Sequence, residues 1–578
     1  MQPVKSYSNP TPAPLPSGGY RFANPAPFRW VAPLFNDHFI RTIRDIPLDF
    51  ILESVDERPL PEMITLLLSM DERGDLWKDI PFQRDSDRSC HLHLPLPHCG
   101  LFYCRVKYSP DAGHTWFVEP KPHHILFVDP PAVKSLKLYT LLPRVSGTFS
   151  DWTRRLDAIH EMGFNAIHLL PITQMGHSLS PYSARDLFEP DPFFKDPSLP
   201  GSATEQWTAF VAAAGQLGIR LCVDLVLNHI ARDSRVAELR PDWILTDSSE
   251  PDGFKRAGCW HQNSWIRWED LVLLNYDHPD PAVREELWAY MTQYALYWSR
   301  FANETGGLVR FDNYHSRPER FIAQLTRRLR QQYPDLLMLA EYFADADALE
   351  QSVTEGGINL LLATTWEYPF VPDLRRYLTD LHSRSPRLRY LTPITTHDTG
   401  TPAHLFGSAD STRPRYAVNA LLSTGQTGMV QGVEWGQVEK IHFIGAPEPL
   451  VEKPSADYRA FIRRIHQILD EHPAFHQLGN VVFVDNGHPA VLAALRQSPK
   501  GIEGGFLIVA NFDTTRAHTV SVKLPAPLRP TPLVVTDLLH PALRKIDTSE
   551  PFEIRLDPCG AGVYHLHYED PSHALSAV

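Results

Sequence analysis

The chain is poor in cysteine: six in 578 residues, Cys90, Cys99, Cys104, Cys222, Cys259 and Cys559, with no C-x-x-C pair among them. That spacing argues against a thiolate zinc site or a redox dithiol, so the thiols read as buried or incidental. No block of basic residues interrupts a net charge of −13. Nucleic acid and anionic membrane surfaces are therefore excluded as main partners, while a neutral polar substrate fits. No run is long and apolar enough to span a bilayer, and the Pro- and Ser-rich stretch Met1 to Tyr20 has no apolar signal-peptide core. These absences predict a cytoplasmic location. Low-complexity repeats are missing, and no Gly-rich phosphate loop follows an apolar strand, which disfavours a dinucleotide-dependent oxidoreductase or a phosphate-binding enzyme.

What is present is enough apolar sequence, 43%, for two or three packed domains. Residues 1–27 read as a flexible tail. Residues 28–134 carry short β-rich runs such as Leu101 to Tyr108 and His124 to Val128, the pattern of a β-sandwich. From 135 to 475 the period changes to strand followed by helix. Strands are predicted at Leu136–Leu142, Asn165–Leu170, Ile219–Leu227, Leu308–Phe311 and Leu336–Ala340. Ser150 is a candidate cap for the first helix, Ser202-Ala-Thr-Glu205 is a capping box, Pro281 and Pro318 open helices, and Gly306-Gly307 ends one. About eight such units imply an α/β fold, a (β/α)8 TIM barrel, with a long Trp-, Asp- and Pro-rich insert at 230–278 after the third strand. Residues 476–578 return to β-runs and predict a C-terminal β-domain.

Four of the apolar runs end in a carboxylate: Asp224, Asp312, Glu341 and Asp398. Carboxylates are costly in packed strands, and a barrel assembles its site from several strand ends. Arg310 and Asp312 are two apart and share a strand face, so the guanidinium should hold Asp312 ionised. Glu341 lies between Met338-Leu-Ala340 and Tyr342-Phe343, an apolar setting that favours the protonated acid. A raised carboxyl beside a depressed one divides acid from nucleophile. Asn228-His229 and His397-Asp398 add polar groups at further strand exits, although a capping role would equally explain Asn228 and His229.

The segments Asp224 to His229, Arg310-Phe-Asp312, Glu341 and His397-Asp398 resemble, in order and spacing, the four signature regions of the α-amylase superfamily of retaining α-glucan hydrolases and transglycosylases. Leu138 to Pro143, Val309 to Ser316 and Leu339 to Phe343 more closely resemble the glucanotransferase half of glycogen debranching enzyme. The resemblance implies Asp312 as nucleophile, Glu341 as general acid and then base, and Asp398 as the holder of the distorted sugar. It also implies that Tyr182, in Ser180-Pro-Tyr-Ser183, stacks on the sugar, that His229, His397 and His315 line the substrate site, that Arg310 keeps Asp312 ionised, and that Asp224 orients the site from beneath. Retention predicts Asp312 and Glu341 carboxyl groups about 5 to 5.5 Å apart. No cofactor is implied. Calcium-dependent members place a ligand His four residues after the nucleophile, where this chain has Ser316, so no metal is expected, with Asn228 the conceivable ligand. The amylo-1,6-glucosidase half of debranching enzyme is not expected to be present.

The implied partner is an α-glucan or maltooligosaccharide and the implied activity 4-α-glucanotransfer, with α-amylase-type hydrolysis and a non-catalytic glucan-binding scaffold as alternatives. Trp260, Trp265 and Trp268 in the insert are candidate stacking faces or the insert's own core. Trp30, Trp77 and Trp116 read as core. The pairs His91/His93 and His123/His124 read as exposed strand residues.

Overall fold

The computed structural model describes residues 21–22, 26–35, 38–71, 76–119, 123–261, 264–450, 455–498, 501–524, 533–540, 542–546 and 551–568. Most of the segment read as a tail lies outside them, but Arg21–Phe22 forms a short strand parallel to Phe117–Val118. The chain divides into two compact units, residues 1–131 with 326–335 and 346–357, and residues 132–325 with 336–345 and 358–578.

In the second unit eight short parallel strands close into a barrel: Leu136–Leu141, Ala166–Leu169, Arg220–Leu225, Leu308–Phe311, Leu337–Ala340, Leu360–Leu362, Tyr390–Pro393 and Gln426–Val430. Leu136 to Thr140 pair with Gln426 to Val430 and complete the ring. Nearly every strand residue is buried, as expected for a sheet with side chains filling its interior and helices packed outside. Gly307 is what lets the fourth strand approach the third. A Cβ there would stand 2.1 Å from the carbonyl oxygen of Leu221.

The helices start where local chemistry sets them. Ala203–Gln216 uses the Ser202/Glu205 capping box, and Pro281–Glu304 begins behind Asp280, whose side chain accepts from Ala282. The first barrel helix, Phe149–Glu161, corrects the expectation for Ser150. Its capping box is Thr148 with Asp151, two residues earlier, and Ser150 instead donates to Asp196 at 2.5 Å. The insert after the third strand is a three-stranded antiparallel sheet of His229–Ala231, Ser264–Leu273 and Arg256–His261.

After the barrel a six-stranded sheet and a two-stranded ladder enclose a core of Val491, Leu507, Val509, Val522, Leu533 and Leu566. In the first unit a seven-stranded and a four-stranded sheet share a core that includes Phe50, Leu52, Leu66, Val106 and Leu126. Trp30 packs against that core. Trp77 packs near His123, and Trp116 lies under Lys107. His91 and His93 pair with Asp85 and Asp49 near the surface, but His123 and His124 are buried, contrary to expectation, because His124 opens, and His123 directly precedes, a strand that runs inside the sheet beside Gly100–Ser109. Among the described residues no helix is long and apolar enough to cross a membrane.

Candidate active site

Each of the four carboxylates stands at or beyond the carboxyl end of a barrel strand. Asp224 lies in the third strand, Asp312 and Glu341 follow the last residues of the fourth and fifth, and Asp398 sits on the loop after the seventh, which ends at Pro393. The register carries Asp312 and Glu341 to the same level. The Asp312 amide donates to the Leu225 carbonyl and the Glu341 amide to that of Phe311, both at 3.1 Å.

Arg310 is the hub. Its Nη1 reaches both Asp224 oxygens at 2.9 and 2.6 Å and Asp312 Oδ1 at 3.3 Å, while Nη2 reaches Glu341 Oε1 at 2.8 Å. Asp224 also receives Tyr182 Oη at 2.9 Å and lies 3.2 Å from His168 Nε2. Tyr182 Oη is 2.7 Å from His397 Nε2, and the two rings are nearly parallel, 7° apart. His397 Nε2 stands 3.1 Å from Asp398, whose side chain is 58% exposed. Phe443 packs its edge against His397, and Lys440 donates to the Asp398 carbonyl at 2.5 Å.

The charges distribute differently from the sequence expectation. Asp224 is buried, which alone would raise its pKa, but Arg310 and His168 overcome that and hold it far below the usual carboxylate range. Asp312 moves the other way. Burial and the neighbouring Glu341 push it well above the usual range, and Arg310 opposes this through the longest of its contacts. Arg310 lowers the nucleophile candidate but does not outweigh burial and Glu341, and Asp224 and Glu341 take its shorter bonds. Nor is the Glu341 setting apolar, since its carboxylate accepts from Arg310 and from the Asn313 amide at 3.0 Å. Asp398 is raised by the protein crowded around it, although its carboxylate remains open to solvent. Burial lowers His397 to about 3 and His229 to about 4, so both rings are neutral near pH 7.

Of the other candidates, His229 Nε2 meets the Tyr182 carbonyl at 3.1 Å, and its ring stands beside Trp268. His315 lies in the turn after Asp312, its ring near-parallel to that of Tyr342. Trp265 is 48% exposed on the insert hairpin. Trp260 lies on the facing strand, and its side chain falls outside the described residues. Asn228 Oδ1 is buried without a hydrogen-bond partner, but Ser316 is exposed and the next residue, Arg317, is a buried cation. This donor set does not fit a divalent ion. Among the described residues, no group of three or more His, Cys, Asp or Glu is arranged to hold a metal.

Sequence reasoning missed His168, Asn313, Arg317 and Lys440. His168 had a signal, an imidazole inside the apolar run Ala166-Ile-His-Leu169. Lys440 had none, since its link to Asp398 spans 42 residues.

Residues 131–251 match the family model for the glucanotransferase domain of glycogen debranching enzyme. The chain is similar to α-1,4-glucan:maltose-1-phosphate maltosyltransferases. The Myxococcus xanthus enzyme is 24% identical over 442 residues, 69% of this chain and 62% of that protein, and the Salinibacter ruber enzyme is 26% identical over 422, 64% and 60%. The chain thus spans about three fifths of the length of these relatives. In fold it is similar to an α-amylase from Lactobacillus plantarum, with TM-score 0.59 and 18% identity over 75% of this chain and 99% of that one. It is likewise similar to the debranching enzyme of Nostoc punctiforme, with TM-score 0.57 and 17% identity over 76% and 99%.

Proposed function

We propose that this chain, a member of the α-amylase superfamily, is a retaining 4-α-glucanotransferase acting on α-1,4-linked maltooligosaccharides or glycogen, with residues 135–475 as its catalytic domain. One observation carries the reading: a single buried guanidinium, Arg310, contacts Asp224, Asp312 and Glu341 together, with Tyr182, His397 and Asp398 on the adjoining wall. One cation touching both reacting carboxylates supports the short separation that retention requires.

In this mechanism the Asp312 carboxylate attacks the anomeric carbon while Glu341 gives its proton to the departing glycosidic oxygen. A glycosyl-aspartate ester and a shortened glucan result. Glu341, now the base, takes the proton of an acceptor 4-hydroxyl, whose oxygen displaces Asp312 and restores the α-linkage. In the free site Asp312 is raised and Glu341 is held by Arg310 and Asn313. Substrate that draws Glu341 off Arg310 leaves that cation to Asp312, the contact that favours its ionised form. The neutral rings of His229 and His397 offer hydrogen bonds to sugar hydroxyls without adding charge.

A hydrolase would use the same ester with water as acceptor. The glucanotransferase domain match and the maltosyltransferase names of the relatives favour transfer. Maltoheptaose alone should yield both longer and shorter products with few new reducing ends, and a parallel reaction of maltose 1-phosphate with glycogen tests a phosphorylated donor by phosphate release. Shortened products with rising reducing ends would identify a hydrolase. Asp312→Asn should abolish either activity, whereas a glucan-binding scaffold would be indifferent to it.

A further inference from the structure

Arg317 is buried five residues beyond Asp312, and no carboxylate lies within ion-pair distance of its guanidinium among the described residues. Its Nη2 donates to the Asp312 backbone carbonyl at 3.0 Å, while Nε and Nη1 are buried with no acceptor. A buried guanidinium without an ion-pair contact is expensive, and removing water from unpaired N–H groups adds to the cost. Packing does not call for it, since a methionine would fill a similar volume without the charge.

Its surroundings show what it joins. The carboxylates of Asp312 and Glu341 favour its charge through space, without an ion-pair contact. The charge of Arg317 is also felt at His229 and His315. Between Asp312 and Arg317 the chain makes a tight turn with Asn313 in the left-handed region, φ 45°. The carbonyl that Arg317 holds belongs to the residue that starts this turn.

We propose that Arg317 is a positioning residue for the transfer reaction: through the Asp312 backbone carbonyl its guanidinium holds the turn after the nucleophile in place, as a fixed organic cation and not a bound metal ion. The inference rests on the catalytic reading above for its kinetic effect, but not for its metal independence.

The test compares the full-length protein with Arg317→Met and Arg317→Lys. Arg317→Met should lower kcat on maltoheptaose about 100-fold with KM nearly unchanged, since a displacement of about 1 Å at the nucleophile has that effect. Loss of the charge should move the acid limb of kcat/KM to higher pH, and added guanidinium should restore part of the rate. Arg317→Lys should keep the acid limb but lose about tenfold in kcat, because an ammonium cannot reproduce the planar fork. A folded Arg317→Met with wild-type kcat overturns the proposal. If that variant does not fold, Arg317→Lys decides, and wild-type kcat there overturns it equally. EDTA and calcium should leave the melting temperature of the unaltered protein where it was; a calcium-dependent rise would show that a metal does this work. That melting experiment needs no turnover, so it judges metal independence even if the α-glucan reading fails.

Discussion

Arg310 binds both carboxylate oxygens of Asp224 at 2.6 and 2.9 Å but stands 3.3 Å from Asp312, two residues away on its own strand. The nearer neighbour in sequence is the weaker partner in space. Asp224 has burial, Arg310, Tyr182 and His168 to fix it, and it acts as the floor on which the cation rests.

Arg310→Gln is the severest substitution this arrangement predicts. It leaves Asp224, Asp312 and Glu341 around an uncharged amide, and breaking a buried pair from one side costs about 3 to 5 kcal/mol. Chemical denaturation should show a loss of that order, and the folded fraction should turn over at least about 1000-fold more slowly.

Tyr182→Phe keeps the ring against His397 but removes the hydroxyl that bridges Asp224 and His397. The buried Asp224 carboxylate loses a donor and His397 Nε2 loses its phenol partner, which costs about 1 to 3 kcal/mol. We expect kcat/KM to fall about 10- to 100-fold, and Tyr182→Ala, which also removes the face, to do worse. Steady-state kinetics on maltoheptaose separates the two.

Acid should destabilise the protein through its buried histidines. Burial lowers His397 and His466 to about 3 and His229 and His382 to about 4, whereas an unfolded histidine titrates near 6.5. Between these values the unfolded state binds more protons, so stability is fully present above about pH 6.5 and is lost as pH falls towards 4. Each ring should cost roughly 2 kcal/mol by pH 5. Melting temperatures measured from pH 7.5 to 5 should fall steadily. His466, held between the Tyr416 hydroxyl and the Met162 carbonyl away from the carboxylates, offers a control: in a folded His466→Gln variant the fall should be shallower.

Arg496 predicts a structural failure without a chemical one. It is fully buried, and its three nitrogens donate to the carbonyls of Ala474, Leu421, Ser423, Phe475 and Gln477 at 2.6 to 3.2 Å, tying the barrel's last helices to the sheet that follows. Arg496→Met should lower stability by about 3 to 5 kcal/mol by stranding those carbonyls, read as a lower denaturant midpoint. The kcat of the folded fraction should be unchanged.

Much of the barrel was legible along the chain because its strands are short apolar runs and its helices begin at side-chain caps, both local properties. Leu308–Phe311 was recovered to the residue, and Leu336–Ala340 within one. The Ser150 error shows the limit of such reasoning. Thr148 and Ser150 are equally good caps by composition, and the choice of Thr148 follows from where Asp151 can turn back to its amide.

The sequence by itself determined that carboxylates end successive strands and that an arginine shares one of those strands, because periodicity and the cost of buried charge are local facts. Which carboxylate the arginine serves was decided only by the closed barrel. There the third, fourth and fifth strands bring Asp224 and Glu341 nearer to the guanidinium than Asp312, and coulombic energy follows distance through space. His168 beneath Asp224 and Lys440 on the Asp398 carbonyl are of the same kind, far along the chain and joined only when the sheet closes.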